Sequence, residues 1–285
     1  MDDALLVLLL TAAACAPLGV FLILRRLSMM ADAISHTVLL GIVLAFFVTH
    51  DLGSPWLLFG AALMGVVTVS LVELLGKTRL VKYDDAIGVI FPLLFALAVI
   101  LISKYAGNAH LDTDMVLMGE VIYAGLNTVG IGGVEIPAAA LKMSGLALLI
   151  AVFITVFYKE LKVSTFDGEY ARLIGVPTGI LFYAFMSLTS LTTVAAFDAV
   201  GAILVISFFI APGATALLFT KHLSHTLLLA LLVSMVNSAL GYALAVHMNA
   251  SIAGLCAVIN MLVYLLALLM GPKGAVTAYI RRKRS

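Results

Sequence analysis

Nine long apolar runs, each near the length of a bilayer crossing, dominate this chain and leave few folds open. They cover residues 4–24, 33–48, 55–76, 86–103, 137–158, 177–197, 200–220, 223–246 and 252–271. A helical crossing takes about 20 predominantly apolar residues. A chain inside hydrocarbon must satisfy its own backbone hydrogen bonds, and these runs are continuous rather than alternating, so helices are expected and a transmembrane barrel is not. The predicted fold is an all-α polytopic membrane protein, one transmembrane domain over residues 1–285. The second run and the two flanking Asp198 are the weakest, which leaves eight or nine crossings open. Composition agrees: the chain is 64% hydrophobic and 11% charged, with a mean hydropathy of +1.20. A soluble domain is nearer half apolar and a quarter charged.

Basic residues set the expected orientation. With the N-terminus outside and nine alternating crossings, only Lys104 and Lys142 of the sixteen lysines and arginines fall outside, which is the positive-inside pattern. The C-terminus and its basic tail, residues 273–285, are then cytoplasmic. A net charge of +1 with no basic domain gives no reason to expect nucleic acid. Cys15 and Cys256 sit in apolar runs and read as small buried hydrophobes, not a disulfide or a metal cluster. The run "LLTAAAC" ends at Cys15, but the start "MDD" lacks a basic region and the apolar run continues past the cysteine, so a cleaved signal is not expected.

Most connecting segments are short, so no soluble catalytic domain is expected. Two are longer. The outer segment, 104–135, carries His110, Asp112, Asp114 and Glu120, and with Asp198 these are candidates for an outer mouth. Acids outnumber bases outside, and such a field concentrates cations or docks a partner. The inner segment, 159–176, reads "KELKVSTFDGEYARLIGV". An N-cap at Ser164 or Thr165, early acids, Arg172 late and Gly175 as a stop predict a short amphipathic helix. Phe166, Tyr170 and Leu173 would share one face, a docking surface for a cytoplasmic partner.

Ionisable groups within membrane runs are functional candidates. Glu73 has Lys77 at i+4 and reads as an interfacial pair. Asp198 is read either as a functional carboxylate or as the N-cap of "AVGAILV", and His247 as interfacial. Asp32 and His36, in "RRLSMMADAISHTVLLG", share a helix face at i and i+4. Either Asp32 caps a helix beginning there, or the two supply a carboxylate oxygen and an imidazole nitrogen to zinc, manganese or iron(II). One pair does not complete a coordination shell, so a symmetry-related second chain is expected to supply the rest.

"APLGVFLILRRLSMMADAISHTVLLGIVLAF", "DDAIGVIFPLLFALAVILIS", "KELKVSTFDGEYARLIGVP" and "VGAILVISFFIAPGATALLFT", in that order, resemble the zinc/manganese/iron permease subunits of bacterial ABC importers, the ABC-3 family. The likeness runs over nearly the whole chain and is most specific in "RRLS" and "DAISH"; Ala31 stands where many members have glycine. It implies a fold related to the vitamin B12 permeases in a bacterial inner membrane. It also implies a second permease chain, two cytoplasmic ABC ATPases and an extracytoplasmic metal-binding protein. It carries the metal-path aspartate and histidine onto Asp32 and His36, and the coupling helix onto Phe166, Asp167, Glu169, Tyr170, Arg172 and Gly175. The cargo is then a divalent metal, with no permanently bound cofactor. ATP belongs to the partners, since no G-x-x-x-x-G-K-[ST] occurs here. An ion-coupled secondary metal transporter, with the pair as a proton relay, is the first rival. An ABC permease for a metal chelate such as a siderophore or vitamin B12 is the second. An intramembrane metalloenzyme would need a pair such as H-E-x-x-H, which is absent.

Overall fold

The computed structural model describes residues 3–51, 54, 56–78, 80–105, 128–131 and 134–271. Among them, nine helices are long and apolar enough to cross a membrane. They are α1 (Asp3–Leu24), α2 (Ser28–Thr49), α3 (Trp56–Lys77), α4 (Tyr83–Tyr105), α5 (Ala138–Val156), α8 (Thr178–Val200), α9 (Ala202–Phe219), α10 (Leu223–Met248) and α11 (Ile252–Met270). Two short helices, α6 (Tyr158–Phe166) and α7 (Gly168–Leu173), lie between α5 and α8. Each apolar run has become one helix, so among the described residues nine, not eight, helices are long and apolar enough to cross. α2 begins five residues before its apolar run, at Ser28, because its first turns carry Asp32 and other polar side chains that hydropathy alone discounts.

α1 is the central element: it packs against α5, α8, α9 and α10, and its buried side chains run from Val7 to Leu22. α2, α3 and α4 form a neighbouring group, and α8 touches both this group and α1. Phe21 of α1 meets Phe185 of α8 edge to face, with centroids 5.9 Å apart. By contrast Leu148, Val156, Leu228 and Leu266 are exposed, as expected of faces that look toward lipid or another chain.

Hydrocarbon does not drive apolar helices together, so close backbone approach through small residues and interhelical hydrogen bonds does the work. A Cβ on Gly19 would overlap the carbonyl oxygen of Phe209, which seats α1 directly on α9. Gly41 of α2 faces Gly60 of α3 in the same way. Thr68 donates to Thr37 at 2.8 Å between α3 and α2, and Ser190 of α8 donates to the Ala62 carbonyl at 3.0 Å. The amide of Asn237 donates to Asn260 at 2.8 Å and that of Asn260 to Ser207 at 3.0 Å, tying α10, α11 and α9. Cys15 and Cys256 are buried free thiols, as expected.

Strands β1 (Thr128–Ile131) and β2 (Val134–Pro137) form an antiparallel pair ahead of α5, with Gly130 opposite Glu135. The sequence reading placed no strands there, since each is only four residues long.

Gly19→Ala is expected to destabilise the folded protein by about 1–3 kcal/mol through forced separation of α1 and α9. Gly145→Ala, where a Cβ meets nothing within 4 Å, is the neutral control. Thermal denaturation of both in detergent, followed by retention of a monodisperse peak, checks the difference.

Candidate metal site and docking element

Asp32 lies in the second turn of α2, whose N-cap position is Leu27 with no side-chain cap bond. Asp32 is therefore not a helix cap. A different demand has to account for a carboxylate there. One turn on, His36 projects from the same face, and its Nε2 is 3.7 Å from Asp32 Oδ1. That is too long for a hydrogen bond, so neither group is consumed by the other. Two donors on one ion at about 2.0–2.2 Å each can be no more than about 4.4 Å apart. The observed gap is within reach of a single bridging cation.

The surroundings hold this arrangement. The His36 ring stacks on Phe91 of α4, with centroids 5.6 Å apart and planes at 27°, and meets Phe95 edge-on at 5.6 Å. Phe91 and Phe95 are one turn apart on α4 and form a wall that limits how the imidazole swings. Ser35 Oγ donates to the Asp32 carbonyl oxygen. The side chains of His36 and Asp32 remain 38% and 39% exposed, so the pair is open on one side. Among the described residues no group of three or more His, Cys, Asp or Glu side chains gathers to hold a metal. This chain's described residues thus offer two donors, and further ligands have to come from water or elsewhere.

The structure sorts the other candidates. His110, Asp112, Asp114 and Glu120 lie outside the described residues, as does the basic tail. Asp198 stands in the last turn of α8, 62% exposed, and its Oδ2 accepts from Lys142 Nζ of α5 at 3.2 Å. It does not cap the next helix, whose N-cap is Gly201 at φ +84°. Glu73 Oε1 accepts from Lys77 Nζ at 2.7 Å, the expected pair. His247 is exposed in the last turn of α10.

The inner segment folds differently from its expected caps. Asp167 breaks it, ending α6 and capping α7, where its carboxylate accepts from the Tyr170 backbone N–H at 2.9 Å. Ser164 and Thr165 do not cap. Their hydroxyls accept from Arg25, Nη2 to Ser164 at 2.9 Å and Nε to Thr165 at 3.1 Å. At the other end Gly175 has φ +86°, its N–H reaches Arg172 O, and Val176 N–H reaches Ala171 O. These paired bonds around a left-handed glycine make a Schellman closure. Phe166, Tyr170 and Leu173 are exposed together, while Ala171 is buried beneath them. Arg172 Nε donates to Thr178 Oγ1 at 3.2 Å and joins α7 to α8, and Glu169 occupies the first turn of α7.

Sequence reasoning missed Arg25 as anything beyond an orientation signal, and missed the aromatic wall. The i, i+4 spacing of Phe91 and Phe95 was readable, but not which helix it faces.

A family model, the ABC 3 transport family, matches residues 1–271. The chain belongs to the ABC 3 transport family. It is 43% identical over 274 residues to the manganese transport system membrane protein MntD of Bacillus subtilis (strain 168), covering 95% of this chain and 92% of that one. It is also 43% identical over 274 residues to the zinc transport system membrane protein TroD of Treponema pallidum (strain Nichols), covering 96% and 75%. In three dimensions it resembles PsaBC from Streptococcus pneumoniae, solved in complex with Fab, with a TM-score of 0.79 at 27% identity over 99% of this chain and 94% of that one. This ABC 3 chain is a multi-pass helical membrane protein, and the family is one of transporter membrane subunits rather than enzymes.

Asp32→Asn is expected to leave the stability of the metal-free permease within about 0.5 kcal/mol of the parent, since Asp32 caps nothing, whereas His36→Gln is expected to cost about 0.5–1.5 kcal/mol by losing its ring contacts with Phe91 and Phe95. Both are expected to abolish the stabilisation that added Mn²⁺ or Zn²⁺ gives the parent. Paired melts with and without metal check both halves.

Proposed function

We propose that this chain is the membrane-spanning permease subunit of an ATP-binding cassette importer that moves a divalent transition metal into a bacterial cytoplasm. The observation that carries the reading is the Asp32–His36 pair, unbonded at 3.7 Å and half open on a membrane helix. Family membership and relatives named for manganese and zinc transport support it. A second permease chain, a copy or a relative, covers the open face and brings its own pair, giving two carboxylates and two imidazoles around the ion. Such a mixed oxygen and nitrogen set suits manganese, zinc or iron(II).

The steps then assign roles to the residues present. An extracytoplasmic metal-binding protein delivers the ion at the end of the bundle where Asp198 lies. The ion passes to Asp32 and His36, whose imidazole is steadied by Phe91 and Phe95. Two ATPase subunits dock on the exposed Phe166, Tyr170 and Leu173 of the inner element. α7 is capped at both ends, by Asp167 and by the turn at Gly175, so it is a stiff handle rather than a loose loop. Nucleotide chemistry stays with the ATPases, so in this reading the α7 end of the bundle faces the cytoplasm and the chain lies in a bacterial inner membrane. The aromatic wall around His36 suits a bare ion better than a bulky chelate.

Metal-starved cells lacking their own high-affinity importers, expressing the system with Asp32→Ala or His36→Ala, are expected to accumulate about tenfold less metal or lower than the parent at equal membrane levels. Parent-like accumulation by both variants would overturn the reading. Asp167→Ala is expected to cost α7 about 0.5–2 kcal/mol of cap energy. It should reduce co-purification of the ATPases while leaving metal binding to the permease unchanged.

A further inference from the structure

Arg25 stands in the turn between α1 and α2, and its contacts do not follow from a role as an orientation signal alone. Its guanidinium donates to the hydroxyls of Ser164 and Thr165, at the very end of α6, 139 and 140 residues away. Its Cζ lies 5.4 Å from the centroid of the Phe185 ring on α8. No carboxylate pairs with it among the described residues, and burial lowers its pKa to about 10. A partly buried cation held by neutral hydroxyls and an aromatic face makes directional bonds that can be broken and remade without separating opposite charges.

The two ends of this contact are stiff. On one side, Arg26 takes φ +60° and Leu27 N–H reaches back to Leu22 O at 2.8 Å, closing α1. Buried Leu27 then starts α2 directly, with Met30 N–H donating to its carbonyl at 2.9 Å. Asp32 and His36 follow within the next turns of that same helix. On the other side, Thr165 is two residues before Asp167, which caps α7. Beside the contact lies a cleft of about 520 Å³ lined by Arg25, Arg26, Ser164, Arg172 and Thr178 among others. The joint is therefore not packed solid, and the elements on either side have room to shift.

We propose that Arg25 is the positioning residue that links the ATPase-docking element to the metal pair. Its fork on Ser164 and Thr165 carries displacement of α6 and α7 into the start of α2, and so changes the setting of Asp32 and His36. The inference rests on the importer reading for what the movement accomplishes, but the link itself is a property of this chain. A lysine places one point charge where arginine spans two acceptors, so it does not replace the fork.

The test uses the complete transporter with its ATPases, partner permease and binding protein, comparing the parent with Arg25→Gln, Arg25→Lys, the Ser164→Ala/Thr165→Val pair and the triple variant. In Arg25→Gln the ATPases should remain bound and hydrolyse ATP, while metal moved per ATP falls about tenfold or more. The hydroxyl pair should reproduce this, and the triple variant should be no worse than either, as two halves of one contact require. Arg25→Lys should not rescue. Hydrogen exchange over residues 28–36 should change when a non-hydrolysable ATP analogue is added to the parent, and this response should vanish in the variants. A response that persists in Arg25→Gln, additive effects, or uptake and hydrolysis that fall in proportion would overturn the link. Should Arg25→Gln fail to fold, the hydroxyl pair decides alone. An ATP-dependent, Arg25-dependent response in a parent that moves no metal would sink the importer reading and leave the link standing. Normal metal transport in every variant would do the reverse.

Discussion

Gly19 lets the backbone of α1 rest on that of α9, with the Phe209 carbonyl where a side chain would otherwise be. In lipid the water that drives a soluble core together is missing, so contact of this kind, repeated at Gly41 and Gly60, must supply the packing energy. Because α1 approaches so closely, it can serve as the hub against which α5, α8, α9 and α10 are placed. Everything that leaves its far end, beginning with the turn at Arg25 and Arg26, inherits a fixed position. α2 is hung from that turn, and the Asp32–His36 pair hangs from α2.

The polar side chains then divide by how they are satisfied. Thr189, Thr192 and Thr193 are fully buried, yet each returns its proton to a carbonyl four residues back in α8. Asn237 donates to Asn260, and Asn260 in turn to Ser207, between helices. Asp32 and His36 do neither: they are oriented, by an aromatic wall and by helix geometry, but left uncommitted. That contrast separates polar groups that serve packing from a pair that packing does not use.

Much of this was legible in the chain because crossing a bilayer is a local requirement. Each apolar run became a helix, Glu73 found Lys77 one turn on, and Gly175 took the left-handed conformation that its stop position implied. The i, i+4 spacing of Asp32 and His36 was enough to place them together. What the sequence concealed was decided by partners distant in the chain. Ser164 and Thr165 are good cap residues by type, but Arg25 claims their hydroxyls and leaves the cap to Asp167. Asp198 read as a cap or a functional carboxylate, but it lies in the last turn of α8 and pairs with Lys142, 56 residues earlier, at 3.2 Å. The start of α2 was hidden for a simpler reason, since hydropathy undervalues turns that carry Ser28, Asp32 and Ser35.

The half-open face of α2 also bears on how stable such a chain is in a bilayer. Hydrocarbon tolerates an ionisable pair poorly, and Asp32 and His36 are more than a third uncovered on a single chain. In a bilayer such a pair carries that penalty unless water or another surface covers it. The same openness that would suit the pair to an ion would therefore make a chain with nothing over that face the less stable one in a bilayer.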